Sequence, residues 1–269
     1  MLRTRLITAA VAIPALWVFI EFAPARVFAL FIVVVTILGL GEYFAMALPQ
    51  HVPERVAGTV FGLVVAAGVA TRDPNLWGAG VSLTVIAGFI FPLVRRQELV
   101  ESIHRLGLLV LGVLYVAFFM PHVILLRELP GGDGWRWLLF TVAAVFGSDS
   151  GGYFAGRAFG AHKLLPEVSP SKTIEGSIGA VFGAIGAALL MRYILVGPTT
   201  LTFAEVVSLA VVMSVLAQFG DLAESALKRA FGAKDSGWII PGHGGILDRL
   251  DSLLFPFVYA YYYAAVLGR

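Results

Sequence analysis

The chain alternates long apolar stretches with short polar ones. Nine stretches approach the roughly 20 residues that an α-helix needs to cross about 30 Å of hydrocarbon. They lie near residues 6–23, 27–48, 56–71, 76–94, 105–126, 137–157, 174–196, 202–220 and 252–268. None shows the alternation of a membrane β-strand, so we expect helices. The pattern predicts an all-α, polytopic integral membrane protein with about nine transmembrane helices.

The composition agrees with a membrane location. Hydrophobic residues make up 59% of the 269 residues and charged ones 13%, and the mean hydropathy is +0.88. Such a chain has too little polar surface to cover its apolar residues in water. The absence of cysteine excludes a disulfide framework and a thiolate metal site. The net charge of +2 gives no reason to expect nucleic acid as a partner.

The positions of lysine and arginine predict the orientation, because cytoplasmic loops are enriched in both. With the N-terminus in the cytoplasm, 13 of the 19 lie in inside segments. The remaining six would lie outside: Arg26, Arg72, Arg127, Arg136, Arg192 and Arg269. We therefore expect a multi-pass protein of the cytoplasmic membrane with its C-terminus outside. The first segment also has the charge layout of a secretory signal, but a retained first helix is the preferred interpretation.

Polar chemistry is concentrated in the second half of the chain. We divide one continuous membrane domain into N-terminal transmembrane helices, 1–135, and a C-terminal catalytic region, 136–269. The first region, with about five helices, contains no motif that indicates a function. No internal repeat is visible, so the sequence gives no support to an inverted-repeat transporter.

The eighth apolar run continues into a polar helix end. If the helix extends to Arg229, side chains spaced i, i+3, i+4 and i+7 share one face. These side chains are Asp221, Glu224, Ser225 and Lys228. A glycine-rich loop with Lys234 and His243 follows, where missing side chains would let backbone N–H groups approach an anion.

A second acidic helix end begins after this loop, with Asp248 and Asp251 at i and i+3. Carboxylates from two helices repel each other unless a cation lies between them, and Mg²⁺ prefers one or two carboxylates with phosphate oxygens. Basic residues nearby would bind the phosphates. The combination favours a metal–phosphate site. The alternative is that Lys228, Arg229 and Arg249 only determine topology, with the two aspartates as their partners.

A second polar cluster lies around the sixth and seventh runs. Asp149 lies well inside the sixth run, where a carboxylate costs about 2.5–3.5 kcal/mol, and is therefore a functional candidate. A buried acid paired with a neighbouring helix is the alternative. Ser171 and Lys172 precede the seventh helix, whose N-terminus favours anions, although an ordinary capped helix start would look the same. Glycines at four-residue spacing predict close helix packing: Gly152, Gly156, Gly160, Gly179 and Gly183.

These residues carry a resemblance to a known family. The segment SALKRAFGAKDSGWIIPGHGGILDRLD, from Ser225 to Asp251, resembles the signature of the phosphatidate cytidylyltransferases, also called CDP-diacylglycerol synthases. It contains the Ser, Lys-Arg, Lys-Asp, His-Gly-Gly and Asp-Arg-x-Asp elements without departure. The segments SDSGGYFAGRAFG and SPSKTIEG are similar to two further segments of the family.

The resemblance implies an Mg²⁺-dependent nucleotidyltransferase of phospholipid biosynthesis that converts phosphatidate and CTP into CDP-diacylglycerol and pyrophosphate. It assigns the metal to Asp221 and Asp248, with Glu224 and Asp251 as further candidate ligands and room for a second cation. Lys228, Arg229 and Arg249 complete the expected catalytic set. The expected substrate-binding residues are Asp149, Ser171, Lys172, Ser225, Lys234, His243, Gly244 and Gly245.

The expected partners are CTP, phosphatidate, membrane lipid and a second copy of the chain in a homodimer. Two alternative functions stay open. One is an ion-coupled membrane transporter in which Asp149 and the basic loop form an ion pathway. The other is a nucleotidyltransferase that acts on another lipid phosphate. The CDP-alcohol phosphotransferases are disfavoured, because their aspartate-rich motif is absent from this sequence.

Overall fold

The structure is a computed structural model that describes residues 14–95, 98–195, 201–237 and 244–266. Its elements are almost all helices, which confirms the predicted all-α class. The described part of α1 covers residues 14–22. The other elements, in chain order, are α2 (Ala25–Ala47), α3 (Val52–Ala70), α4 (Pro74–Arg95), α5 (Leu99–Gly112), a π-helix (Val113–Phe118), α6 (His122–Arg127), α7 (Gly134–Phe159), β1 (Lys163–Leu165), β2 (Ser169–Thr173), α8 (Ile174–Ile194), α9 (Phe203–Ala230) and α10 (Leu247–Val266).

Six helical stretches of the described chain are long and apolar enough to cross a membrane. They are α2, α3, α4, α8, α9 and the continuous stretch Leu99–Arg127, which joins α5, the π-helix and α6. Large apolar side chains are exposed on their surfaces, as Phe182 and Tyr193 are on α8. Such faces suit lipid rather than water, so the chain is a multi-pass membrane protein. The count of nine spans stays a prediction, because α1 is described only in part and α7 and α10 carry charged residues.

A short β-hairpin, which the sequence analysis did not predict, joins α7 to α8. Its strands β1 and β2 pair antiparallel, with Lys163 opposite Thr173. Glu175 in the first turn of α8 accepts hydrogen bonds from the backbone N–H groups of Ala161 and His162, at 3.1 and 3.2 Å. These bonds tie the hairpin to the start of α8. Lys172 therefore projects from a strand whose position is fixed by the helix that follows.

The helices α7 and α8 pack with their backbones nearly in contact. A Cβ added to Gly151 would lie 2.4 Å from the carbonyl oxygen of Gly179, and one added to Gly183 would lie 2.2 Å from that of Gly147. Any side chain at these positions would overlap the opposite backbone, so only glycine fits. The predicted close packing at Gly179 and Gly183 is therefore confirmed.

The glycines nearer the hairpin also face α8, although less tightly. A Cβ on Gly152 would lie 3.4 Å from the carbonyl oxygen of Gly176, and one on Gly156 would lie 3.2 Å from the Thr173 hydroxyl. One on Gly160 would lie 3.0 Å from the same hydroxyl. Gly152 and Gly156 thus lie close to the start of α8, in agreement with the predicted packing, whereas a Cβ on Gly160 would first meet the carbonyl oxygen of Gly156, at 2.2 Å.

The helix α9 forms as the sequence predicts. The Thr202 side chain and Glu205 make a capping box, in which the Glu205 carboxylate accepts a hydrogen bond from the Thr202 N–H at 2.6 Å. This arrangement satisfies N–H groups that a helix start would otherwise leave free. The helix then runs without interruption to Ala230. Its apolar part and its polar end thus belong to one continuous helix, as expected.

One apolar core joins the early and late helices. Leu40 of α2, Phe140 of α7 and Leu209 of α9 are fully buried in the same cluster. A Cβ on Gly39 would lie 3.3 Å from the Leu247 side chain, so α2 and the start of α10 are close neighbours. The end of α2 is therefore placed beside the most polar part of the C-terminal region. The division of the chain at residue 135 stays a prediction.

Replacing Gly183 by alanine should lower the free energy of unfolding by about 1–3 kcal/mol, because the methyl group forces α7 and α8 apart. Gly186→Ala is the matched control on the same helix, since a Cβ there meets nothing within 4 Å. Alanine also favours helix by about 1 kcal/mol over glycine. Thermal unfolding in detergent should show a lower midpoint for Gly183→Ala and an equal or higher one for Gly186→Ala. Equal midpoints for the two variants would contradict the packing.

Candidate active site

The helices α9 and α10 approach closely where their acidic side chains begin. A Cβ on Gly220 would lie 2.3 Å from the carbonyl oxygen of Asp251, so only glycine allows this approach. The next residues of α9 include Asp221 and Glu224, which therefore lie beside the first turns of α10. The two acidic helix ends that the sequence predicted are thus brought together by backbone packing.

Lys228 joins the two helices by ion pairs. Its Nζ lies 2.6 Å from Oδ1 of Asp248 and also pairs with the Glu224 carboxylate. The Glu224 side chain is 2% exposed and that of Asp248 is 10% exposed. Buried carboxylates require such a partner, because an unpaired charge in a low-dielectric interior is costly. One ammonium group is therefore the shared ion-pair partner of two of the predicted metal ligands.

Asp248 lies in the first turn of α10, ahead of the apolar part of that helix. Its Oδ2 accepts hydrogen bonds from the Ser236 N–H at 2.9 Å, the Ser236 hydroxyl at 2.9 Å and the Gly245 N–H at 2.8 Å. Burial alone would raise the pKa of Asp248, but the Lys228 ammonium and these donors outweigh it and lower the pKa to about 2. The carboxylate is therefore ionised and held in one orientation.

Asp221 has a different lysine as its partner. The Nζ of Lys172, on β2, lies 2.7 Å from Oδ2 of Asp221. The Ser225 hydroxyl donates to the other oxygen, Oδ1, at 3.3 Å. Both side chains of the ion pair are partly exposed, 24% for the lysine and 35% for the aspartate. The hairpin therefore places a cation from the second polar cluster directly on the first acidic cluster.

A cavity of about 600 Å³ opens beside this ion pair. Residues from α7, the hairpin, α8 and α9 line it, among them Asp149, Ser171, Lys172, Gln218 and Asp221. Asp149 is exposed on the cavity lining, while Gly152 and Gly156 form part of its wall. The structure thus brings Asp149, Ser171 and Lys172 of the second cluster together with Asp221 of the first.

A hydrogen-bond network that the sequence analysis missed also borders the cavity. The hydroxyls of Ser148 and Ser214 lie 2.8 Å apart, and Gln218 Nε2 donates to Ser214 at 3.2 Å. The Ser177 hydroxyl donates to the carbonyl oxygen of the Gln218 side chain. These polar side chains are buried or half-buried between α7, α8 and α9, so they align the three helices around the cavity. Their spacing in sequence carries no recognisable motif.

The glycines of the His-Gly-Gly segment shape the loop around Asp248. Gly244 has a φ of +79°, which L side chains rarely adopt, and a Cβ there would lie 2.8 Å from Oδ2 of Asp248. Gly245 donates its N–H to the same oxygen. Both glycines therefore lie against Asp248, and Gly245 also lies against Ser236 and Glu42. Their predicted part in substrate binding stays a prediction. His243 lies outside the described residues.

The other predicted basic residues lie farther out on the surface. Arg229, Lys234 and Arg249 are exposed, whereas Lys172 and Lys228 are partly buried in ion pairs. Arg229 donates to the carbonyl oxygen of Ala233 at 3.2 Å, which stabilises the turn that ends α9. The structure thus separates two inner lysines from three outer cations, a difference that the sequence spacing does not show.

The acidic side chains supply the oxygen ligands that Mg²⁺ prefers, since this ion takes one or two carboxylates together with phosphate oxygens and water. Asp221 lines the cavity, and Asp248 lies across Lys228 from Glu224. Among the described residues, no three His, Cys, Asp or Glu side chains are grouped closely enough to hold a metal ion. The chemistry of the donors fits Mg²⁺, and its assignment to Asp221 and Asp248 stays a prediction, as do Glu224 and Asp251 as further ligands.

Glu42, an acid of α2 that the sequence motifs did not indicate, contacts the same loop. Its carboxylate accepts hydrogen bonds from the N–H groups of Ile246 and Leu247, at 2.9 and 3.0 Å. An acid within an otherwise apolar helix, as in GLGEYF, is the feature that would have identified it. The N-terminal helices therefore do contribute to the surroundings of Asp248.

Comparison with known sequences identifies the class of protein. The sequence model of the cytidylyltransferase family matches residues 3–267. The chain belongs to this family, and it is accordingly a nucleotidyltransferase with an all-α membrane fold. The resemblance noted for Ser225–Asp251 is confirmed.

Relatives of known name extend over most of the chain. A phosphatidate cytidylyltransferase of Thermotoga maritima is 32% identical over 263 residues, which cover 94% of this chain and 93% of the relative. One of Staphylococcus epidermidis is 30% identical over 257 residues, with 94% and 95% covered. One of Bacillus subtilis is 38% identical over 186 residues, with 67% and 68% covered. The similarity therefore includes the N-terminal helices as well as the motif region.

Replacing Lys228 by methionine, which has a similar length and no charge, should destabilise the protein by about 3–5 kcal/mol, because Glu224 and Asp248 are left unpaired. Lys234→Met is the matched control: this lysine is exposed, and its loss should change stability by no more than about 0.5 kcal/mol. Thermal unfolding in detergent measures both. Adding Glu224→Gln to Lys228→Met should restore part of the loss. If both lysine variants unfold at the wild-type temperature, the buried ion pairs do not stabilise the fold.

Proposed function

We propose that the chain is a phosphatidate cytidylyltransferase, which transfers CMP from CTP to phosphatidate and forms CDP-diacylglycerol and pyrophosphate. The observation that carries this proposal is the pair of lysine–aspartate contacts in an apolar protein: Lys172–Asp221, which lines the cavity, and Lys228–Asp248, which joins α9 to α10. The names of the relatives support the same activity. A site for two phosphorylated substrates needs cationic groups at fixed positions, and these pairs fix two ammonium groups beside the carboxylates proposed to hold the metal ion.

The reaction joins two strongly negative groups. A phosphate oxygen of phosphatidate forms a bond to the α-phosphorus of CTP, and the bond from that phosphorus to pyrophosphate breaks. The lipid phosphate is largely dianionic near neutral pH, since its second pKa is about 6, so the nucleophile needs no dedicated base. Catalysis then depends on alignment of the two substrates and on stabilisation of the leaving pyrophosphate.

We infer that Asp221 and Asp248 hold Mg²⁺, with Glu224 and Asp251 as supporting carboxylates. When bound, the ion supplies positive charge for the oxygens of the transferred and leaving phosphates. Lys172 and Lys228 form ion pairs with these aspartates, and their ammonium groups would bind phosphate oxygens of the substrates. Arg229, Lys234, Arg249 and His243 are assigned to the outer phosphates of CTP, which the exposure of the first three supports.

The cavity suits the lipid substrate. It is lined by polar residues such as Ser171 and Gln218 and by apolar ones such as Tyr153 and Leu164. We propose that the phosphatidate head group lies near Lys172 and that Asp149 borders its glycerol part. The Lys and Arg distribution supports an orientation with the N-terminus and the active-site loops in the cytoplasm, where CTP is available, and with the C-terminus outside.

Asp221→Asn and Asp248→Asn should each lower Mg²⁺-dependent turnover by about 100-fold or more, because each removes a charge from the reacting centre without changing its size. Purified variants are incubated with radiolabelled CTP and phosphatidate, with and without Mg²⁺, and CDP-diacylglycerol is counted. Asp73→Asn, in the exposed loop between α3 and α4, is the control and should keep wild-type turnover. Near wild-type activity in either active-site variant would contradict the two-aspartate assignment.

Lys172→Ala should raise the KM for phosphatidate or CTP about tenfold, which is the loss of roughly 1.5 kcal/mol from one charge-assisted hydrogen bond. Lys163→Ala is the matched control in the same hairpin, because its ammonium donates to the carbonyl oxygen of Pro170 rather than to an acid. Initial rates are measured while each substrate is varied in turn. An unchanged KM for both substrates in Lys172→Ala would remove this lysine from the binding site.

The same assay separates the alternative functions. A transporter would move ions across a liposome membrane and would not consume CTP. A nucleotidyltransferase with another acceptor would convert CTP only when a different lipid phosphate is added. Formation of CDP-diacylglycerol from phosphatidate by the wild-type protein distinguishes the proposed activity from both.

A further inference from the structure

Glu42 is a buried carboxylate whose hydrogen-bond donors come from the far end of the chain. It lies near the C-terminal end of α2 and is 5% exposed. Its Oε1 accepts from the N–H of Ile246 at 2.9 Å, and its Oε2 accepts from the N–H of Leu247 at 3.0 Å and from the Ser236 hydroxyl at 3.1 Å. Because α10 begins at Leu247, Glu42 supplies acceptors for N–H groups that the helix itself leaves free.

The start of α10 is therefore held by carboxylates from two distant parts of the chain. Glu42 accepts from residues 246 and 247, while Asp248 accepts from the N–H groups of Ser236 and Gly245. Negative charge is favourable at a helix N-terminus, where the peptide dipoles leave partial positive charge. Loss of Glu42 would free two N–H groups directly before Asp248 and loosen the turn that carries it.

The Ser236 hydroxyl connects the two carboxylates. Its Oγ lies 3.1 Å from Oε2 of Glu42 and 2.9 Å from Oδ2 of Asp248, and the residue is 4% exposed. A hydroxyl has one proton to donate, so it can serve only one of the two acids at a time. When Oδ2 of Asp248 accepts from another donor, the Ser236 hydroxyl can donate its hydrogen bond to Glu42 instead. Ser236 therefore keeps an acceptor in either case.

Two glycines leave the space that the Glu42 carboxylate fills. A Cβ on Gly237 would lie 2.6 Å from Oε1, and a Cβ on Gly245 would lie 2.5 Å from Oε2. A Cβ on Gly245 would also lie 2.1 Å from the Ser236 hydroxyl, so the described residues of the loop before Asp248 fit closely around Glu42 and Ser236. The contact of Glu42 with this loop thus depends on hydrogen bonds and glycine positions, and not only on apolar packing of α2 against α10.

We propose that Glu42 is a positioning residue, which fixes the orientation of the Asp248 carboxylate by holding Ser236 and the first turn of α10. The N-terminal helices thereby take part in the reaction without touching a substrate. The inference rests on the proposed function, in which Asp248 serves catalysis. Its test therefore includes one measurement that needs no substrate.

Hydrogen–deuterium exchange of the purified full-length protein is that measurement. Glu42→Gln keeps the size of the side chain but replaces one acceptor oxygen, and it should speed amide exchange in residues 244–250 roughly tenfold, as expected for the loss of one charged hydrogen bond. Glu21→Gln is the matched control, since Glu21 is another helical glutamate, which accepts from Trp17 Nε1 at 2.8 Å. It should leave this segment unchanged. Unchanged exchange in Glu42→Gln, or the same increase in both variants, overturns the proposal.

Kinetics with CTP and phosphatidate form the second arm. Glu42→Gln should lower kcat roughly tenfold and raise severalfold the Mg²⁺ concentration that gives half-maximal rate. A merely structural role would lower the fraction of active protein and leave that Mg²⁺ concentration unchanged, and this result overturns the proposal.

A double variant, Glu42→Gln with Ser236→Ala, separates the shared network from two independent effects. The fold-loss of kcat in the double variant should be much smaller than the product of the fold-losses in the two single variants, because both residues act on Asp248. Fully multiplicative losses overturn the proposal. If the wild-type protein makes no CDP-diacylglycerol, the proposed function fails, and the exchange experiment alone then decides the role of Glu42.

Discussion

A charged group among apolar helices needs an opposite charge or a hydrogen-bond donor, and this requirement organises the polar centre of the protein. Lys228 meets it for Glu224 and Asp248 at once, and Lys172 meets it for Asp221. The contact from Lys228 to Asp248 joins α9 to α10, and these helices approach each other closely at Gly220. Helix packing and charge pairing therefore depend on each other. The close backbones bring Asp248 within ion-pair distance of Lys228, and the ammonium groups offset the cost of placing several carboxylates near one another.

The glycine contacts of α7 and α8 serve the site in a different way. Backbone contact at Gly151 and Gly183 leaves these two helices little freedom to slide, so the hairpin between them is carried on a rigid base. Lys172 is held on that hairpin, and its ammonium reaches Asp221 on a third helix. Such fixed positions are what the proposed part of Lys172 in aligning two substrates requires.

Features that depend on near neighbours in sequence could be predicted. The polar face of α9 follows from helical periodicity, and the contact of α7 with α8 follows from the four-residue glycine spacing. The hairpin was missed because strands of three and five residues are too short to show a period of two. Pairing between distant residues was also beyond prediction: spacing suggested that Lys172 binds an anion, but not that its partner is Asp221. The backbone N–H groups that donate to Asp248 could not be predicted either, because a sequence pattern describes side chains only.

Glu42 and the N–H groups that it binds are separated by 204 and 205 positions in the chain. At a synthesis rate of about 5–20 residues per second, roughly 10–40 s pass between the making of the acid and the making of its partners. During that time Glu42 lacks these donors, and an acid in an apolar helix is costly without a partner. Insertion of the last helix ends this state. The hydrogen bonds around Asp248 and the last part of the fold are therefore completed in the same step of biogenesis.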